Sequence, residues 1–254
     1  MKITFLGTGT SQGVPVIACK CSVCHSSDIK DKRYRSSILI NLESRNIVVD
    51  TGPDFRSQML ANEVEQLDAI LFTHEHKDHI AGLDDVRPFN FKQGAPIPVY
   101  CSVEVEKAIK REYHYIFADT KYPGIPELTL EKIENEPFKI FGEHEIIPIE
   151  VQHYKMSVFG FRINDFTYIT DAKTIIEKEI KKISGTKTLV INALRHESHL
   201  SHFNLQEALD LIEVIKPEKA YLTHISHLFG TQQQIEAHLP KNVFVAYDGL
   251  EILM

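Results

Sequence analysis

Short apolar runs punctuated by Gly, Pro, Asn and Asp recur along the chain and predict strands. They fall at residues 2–6, 37–42, 46–50, 69–73, 97–101, 145–153, 158–163, 166–171, 188–193, 220–223 and 243–247. Two pairs form hairpins, one about Glu43-Ser44-Arg45 and one about Asn164-Asp165. Between them the apolar spacing changes to a helical one at 55–66, at 82–91 with Pro88 interrupting, at 102–116, at 174–184 and at 204–216. Thr174 with Glu177, Asn204 with Glu207 and Thr231 with Gln234 have the spacing of helix-capping boxes. Residues 119–138 hold Pro123, Pro126 and Pro137 and predict an excursion from the core. The result is a β-rich chain with interspersed helices, in two similar halves of hairpin, strand and helix. No linker or low-complexity stretch divides it, which predicts one domain over 1–254.

One run carries chemistry. The strand at 69–73 leads straight into His74, His76, Asp78 and His79. In an extended segment His74 and His76 face the same side and can reach one ion together. Asp78 and His79 come where the chain must turn, and can aim at a second ion. Carboxylate beside imidazole suits Zn, Mn or Fe rather than Cu(I). A solvated His-rich loop is the bland alternative, and four ligands in six residues argue against it. This H-x-H-x-D-H pattern resembles the signature of the metallo-β-lactamase superfamily. That resemblance implies an α/β fold of the αββα sandwich type, two mixed sheets flanked by helices.

Composition narrows the partners. The chain has 254 residues, 43% of them hydrophobic and 25% charged, ordinary values for a soluble globular protein. A net charge of −7 argues against bulk nucleic-acid binding. No apolar run is long enough to span a membrane. The N-terminus MKITFLGTGTS reads as a first strand rather than a signal peptide, so a cytoplasmic location is expected. A homodimer is a compatible assembly. Gly7-Thr8-Gly9-Thr10 permits a tight turn, with a plain loop favoured over a phosphate cradle. The charged stretch at 28–35 reads as a solvated face, with Arg33 and Arg35 offered as contacts for an anionic substrate.

Cys19, Cys21 and Cys24 lie within six residues and Cys101 stands apart. Clustered Cys in a cytosolic chain points to metal rather than disulfides. The C-x-C-x2-C spacing suits a tetrahedral Zn that lacks one ligand, and His25 is a strained choice for it. Cys101 reads as a small buried hydrophobe.

Further ligands stand at strand ends. His74, His76 and His153 can serve one ion; Asp78, His79 and His224 a second; Asp171 can bridge the two. Asp50 is a candidate to orient the metal loop, or else caps a turn. Two ions sharing a metal-bound hydroxide suit hydrolysis of a phosphodiester or an acyl compound, with no side-chain nucleophile. Asp78 is counted as catalytic as well as ligating. His202 is the candidate general acid, with His196 and His199 as competitors.

More narrowly, GVPVIACKCSVC, the S-H-F-N-L stretch around His202, and LTHISHLF with a terminal YDGLEI resemble PhnP-type cyclic phosphodiesterases. The resemblance implies two Mn-class or Zn catalytic ions and one structural Zn. It places the structural Zn on Cys19, Cys21, Cys24 and His227, and gives His202 the general-acid position. It implies a small phosphodiester substrate, cyclic, phosphoribosyl or nucleotide-like. Residues 110–140 carry no such resemblance. Two competing functions are a tRNase Z-like RNA-processing nuclease and a non-catalytic PqqB-like carrier; the charge counts against the first, the intact ligand set against the second.

Overall fold

A computed structural model describes residues 1–120 and 122–254. Its contacts divide the chain into two compact units, each discontinuous in sequence. The first unit comprises Met1–Gly7, Ser37–Glu134 and Gly249–Met254; the second comprises Thr8–Ser36 and Asn135–Asp248.

The first unit holds a seven-stranded mixed sheet. Its strands are β1 (Lys2–Gly7), β2 (Ser37–Leu42), β3 (Arg45–Val49), β4 (Ala69–Leu71), β5 (Ile97–Cys101) and β6 (Leu128–Lys132) in spatial order. The C-terminal strand Glu251–Leu253 edges it beside β1, in a pairing that the sequence pattern did not predict. β3 through β6 run parallel. The helices are α1 (Phe55–Ala61), α2 (Lys77–Ile80), α3 (Arg87–Gln93) and α4 (Val103–Glu112). α4 buries Val105, Ala108 and Ile109, the face its spacing predicts, and Ser102 caps it. The core runs from Leu6 and Phe55 through Phe72, Leu83 and Val99 to Ile116.

The second unit holds another seven-stranded mixed sheet, with β7 (Phe138–Ile140), β8 (His144–His153), β9 (Met156–Ile163), β10 (Phe166–Ile169), β11 (Thr188–Asn192), β12 (Lys219–Thr223) and β13 (Val243–Val245) as neighbours in that order. β7 to β10 are antiparallel and β10 to β13 parallel. Its helices are α5 (Glu177–Ile183), α6 (Leu205–Ile215) and α7 (Gln232–Glu236). Both predicted capping boxes on α6 and α7 form. Two mixed sheets with flanking helices are those of the αββα class expected from the sequence. Among the described residues no helix is long and apolar enough to cross a membrane.

Several elements differ from the sequence expectation, each for a local reason. α1 stops at Ala61, and Glu63 enters the left-handed region at φ +49°. Pro88 does not interrupt a helix; it sits in the first turn of α3, where its missing N–H costs nothing. Thr174 caps no helix, because it exchanges backbone hydrogen bonds with Gln152, and α5 starts three residues later. The stretch at 119–138 is not wholly an excursion, since β6 pairs with β5 along its length; Lys121 lies outside the described residues. Arg33 is buried rather than solvated, donating to Thr8 Oγ1, the Ala246 carbonyl and Gln232 Oε1.

Gly82 has no room for a side chain. A Cβ there would stand 2.1 Å from the Gly52 carbonyl oxygen and 2.7 Å from Phe55 Cβ. Both neighbours are held, since Gly82 N–H donates to the Thr51 carbonyl and Phe55 is fully buried. Gly82→Ala is expected to lose about 3 kcal/mol in urea unfolding, the upper end of overpacking costs. A loss under about 0.5 kcal/mol, the scale of a neutral surface change, would mean that the 50–52 turn shifts freely.

Candidate functional site

Donor side chains gather at or beyond the C-terminal ends of strands in both units, and each set is described on its own sheet. In the first unit β3 and β4 end level, with Val49 opposite Leu71. The chain therefore leaves β3 at Asp50 directly beside Thr73. Thr73 donates its N–H to Asp50 Oδ1 at 2.9 Å and its hydroxyl to Oδ2 at 2.8 Å. His79 Nδ1 lies 2.7 Å from the same Oδ2. Asp50 is fully buried; burial pushes its carboxyl up, while the charge and hydrogen bond of His79 pull it down.

These bonds fix which ring atoms face outward. With Nδ1 donating to Asp50, His79 presents Nε2, which stands 3.3 Å from Asp78 Oδ2. The Thr73 hydroxyl has given its proton to Asp50, so towards His74 Nδ1 at 3.0 Å it can only accept. His74 then presents Nε2, 3.1 Å from His76 Nδ1. His74, His76, Asp78 and His79 are thus brought together. The strand pairing of β4 ends at Leu71, but His76 keeps an extended backbone, with its ring on the same side as that of His74, as the N-cap of the short α2 that carries Asp78 and His79. Three imidazoles and a carboxylate are a borderline N/O donor set, of the kind that divalent ions take.

In the second unit β10, β11 and β12 are parallel, with Asn192 opposite Thr223. Asp171 follows β10 and His224 follows β12. Asp171 Oδ2 is 3.3 Å from His224 Nδ1, and Asp171 Oδ1 is 3.7 Å from His202 Nδ1. His153 ends β8 and its Nδ1 lies 2.9 Å from the Ser201 carbonyl, which leaves Nε2 to face the set. Donor atoms of His153, Asp171 and His202 all lie within 4.8 Å of one another. The His202 ring is packed between His199 at 5.1 Å and His224 at 4.7 Å, both near parallel, with His153 tilted against it at 4.6 Å. Burial first, and then the charge of His224, push His202 down to about 2, with Asp171 opposing. His199 is also lowered, by burial and then by Arg195. His196 lies edge-on to Phe229 instead.

Asp50, Asp171 and His224 all adopt positive φ, at +65°, +55° and +58°. The left-handed region costs a residue with a Cβ about 1–2 kcal/mol. The hydrogen bonds around each residue hold it there. Asn192 is one such support that sequence reasoning passed over: its side chain bonds both the N–H and the carbonyl of Ala172, fixing the backbone next to Asp171. Its signal is a polar residue closing the otherwise apolar strand Leu-Val-Ile-Asn. Ser36, Thr73 and Thr170 went unnoticed for want of any pattern.

Cys19, Cys21, Cys24 and His227 form a third set, their donor atoms within 4.8 Å of one another. His227 Nδ1 is 3.3 Å from Cys19 Sγ and 3.4 Å from Cys21 Sγ. Backbone amides of Cys24 and Val16 donate to Cys21 Sγ and Cys24 Sγ. The Cys24 amide, then His227, pull Cys21 down to about 6; burial pushes Cys24 up to about 11. A sulfur cluster with a thiolate at neutral pH and an imidazole fits tetrahedral Zn. His25 takes no part, its N–H bonding the Cys21 carbonyl. Cys101 is wholly buried and raised to about 12, an inert core thiol.

Known proteins share the sequence pattern and the fold of this chain. The model of the Beta-lactamase superfamily domain matches residues 45–225. A crystal structure described as a new diphosphatase from the PhnP family superposes with a TM-score of 0.92 at 36% identity, covering 100% of this chain and 97% of that one. Zn-bound PqqB from Methylobacterium extorquens, 19% identical with a TM-score of 0.80 over all of both chains, shares the fold. The chain is also 37% identical over its whole length to an octanoyltransferase of Porphyromonas gingivalis, but spans only 52% of that protein. Superfamily and branch agree with the motif order read from the sequence, and with a metal-dependent hydrolase. The chain belongs to the metallo-β-lactamase superfamily, and within it to the PhnP-like branch.

Proposed function

We propose that the chain hydrolyses small phosphodiesters, cyclic, phosphoribosyl or nucleotide-like, with two divalent metal ions. In this reading His74, His76 and His153 hold one ion, Asp78, His79 and His224 the other, and Asp171 bridges them. Divalent ions bound there supply Lewis-acid polarisation and an activated water. The observation that carries the substrate class is His202. It is a buried imidazole set against Asp171 and His224 that this reading assigns to neither ion. A proton donor in that place serves a leaving group that departs as a poor alkoxide, as the alcohol of a phosphodiester does. The 36% identity to a PhnP-family diphosphatase supports the same class. The substrate is small, and the protein works in the cytoplasm, where three clustered thiols stay reduced.

A screen decides it. Mn- or Zn-loaded protein is expected to open ribose 1,2-cyclic phosphate or 2′,3′-cyclic nucleotides and to leave an octanoyl thioester and structured RNA intact. Faster turnover of the thioester than of any phosphodiester would overturn the reading, in favour of acyl hydrolysis.

The Cys19, Cys21, Cys24 and His227 set is the structural Zn site in this reading. Cys21→Ser removes its most acidic thiol. The variant is expected to lose the Zn that survives mild chelation of the wild type, with a lower melting temperature. Unchanged Zn content by metal analysis would defeat the assignment.

A further inference from the structure

The Thr8–Thr10 loop does not offer its amides to a phosphate. Gly9 N–H donates to the Tyr34 carbonyl at 2.7 Å and Thr10 N–H to the Ile225 carbonyl at 3.2 Å. The loop instead lies between the 33–36 segment and the loop after β12. Gly9 is needed for that approach, because a Cβ there would meet Arg33 Cβ, the Arg33 carbonyl and the Tyr34 carbonyl at 3.0 Å each.

The Gly9 carbonyl has a further partner. It accepts the hydroxyl of Ser36, a residue 1% exposed, at 2.9 Å. Ser36 has a single proton to give, so towards His224 Nδ1 at 3.1 Å its oxygen can only accept. The other oxygens around that nitrogen are acceptors too. Thr170 Oγ1, at 3.4 Å, has given its proton to Asp171 Oδ2, and Asp171 Oδ2 itself stands at 3.3 Å. Towards these three oxygens Nδ1 of His224 can only donate, and of the three Ser36 Oγ stands nearest.

We propose that Ser36, anchored on the Gly9 carbonyl, is a positioning residue that fixes the tautomer of His224 and makes Nε2 the atom offered to a metal ion. The proposal rests on the reading of His224 as a ligand. It assigns the Gly-Thr-Gly-Thr loop a task, that of bracing a ligand from behind. Groups that orient ligating imidazoles typically change metal affinity about 10–100-fold when removed.

Two readouts test it on the full chain. Nitrogen-15 histidine NMR of the metal-free protein at alkaline pH reads each ring's tautomer directly. Competition with a fluorescent chelator reads Zn affinity. Wild type is expected to show His224 protonated on Nδ1. Ser36→Ala should shift that ring towards a mixture and weaken one catalytic ion about tenfold or more, with the Cys-site Zn unchanged. Ser36→Thr, which keeps the hydroxyl, should stay near wild type. An Nε2-protonated His224 in the wild type would overturn the proposal. So would a Ser36→Ala protein equal to wild type in both readouts, since Asp171 and Thr170 would then suffice. A Ser36-dependent tautomer in a protein that binds no ion through His224 would support the brace and sink the metal reading.

Discussion

His202→Ala is expected to slow hydrolysis of cyclic and alkyl phosphodiesters by about 10²–10⁴, the usual range for a general acid. Bis-p-nitrophenyl phosphate should lose far less, because its phenolate leaves without a proton. The contrast matters more than either number. Damage to the metal set would slow both substrates alike, whereas loss of a proton donor slows only the one whose leaving oxygen needs it. Equal losses on both would remove His202 from the acid role.

The setting of His202 shapes how it would work. Its Nδ1 is 3.7 Å from Asp171, beyond a hydrogen bond, so the ring is held mainly by stacking between His199 and His224. Burial and the neighbouring His224 both disfavour its charged form. A phosphodiester anion brought against the ring favours the charged form, as any opposite charge within a few ångströms does. In the proposed role, the substrate anion would then help to hold the proton on the ring.

The sequence made the metal loop legible because its ligands are contiguous and follow a strong apolar strand. It made His153, Asp171 and His224 legible only as polar residues at strand ends, and there they stand, Asp171 and His224 after the parallel β10 and β12 and His153 at the end of the antiparallel β8. Of the supporting layer, Asp50 alone was marked, as an orienting residue or a turn cap. Thr73, Ser36 and Asn192 escaped, because they act through contacts between segments brought together only by the fold, and nothing local marks a hydroxyl as a partner of an imidazole. Arg33 failed for the same reason: a charged run predicts solvent, but Gln232 and the Ala246 carbonyl reach it from about 200 residues away. α6 and α7 were predictable at their caps because capping is local, and α5 was not because Gln152 competes for Thr174.

Asp50 should show the largest effect on stability. It accepts from His79 Nδ1, from the Thr73 amide and from the Thr73 hydroxyl, all without solvent. Asp50→Ala leaves three donors with no acceptor in a dry site. Removing one partner from a buried pair costs about 3–5 kcal/mol. Against a total of about 5–15 kcal/mol for a domain, that is about a fifth or more of the whole, and the urea midpoint should fall in proportion. Asp50→Asn separates stability from chemistry. The amide keeps the shape and one acceptor oxygen but turns the other position into a donor. If the oxygen stays with the Thr73 amide, the new NH2 faces His79 Nδ1 and favours its bare form, which moves the proton to Nε2, the atom that faces Asp78. Zn affinity should then fall about 10–100-fold while far-ultraviolet circular dichroism stays that of the wild type. Wild-type affinity in Asp50→Asn would show that His79 is oriented by something other than this carboxylate.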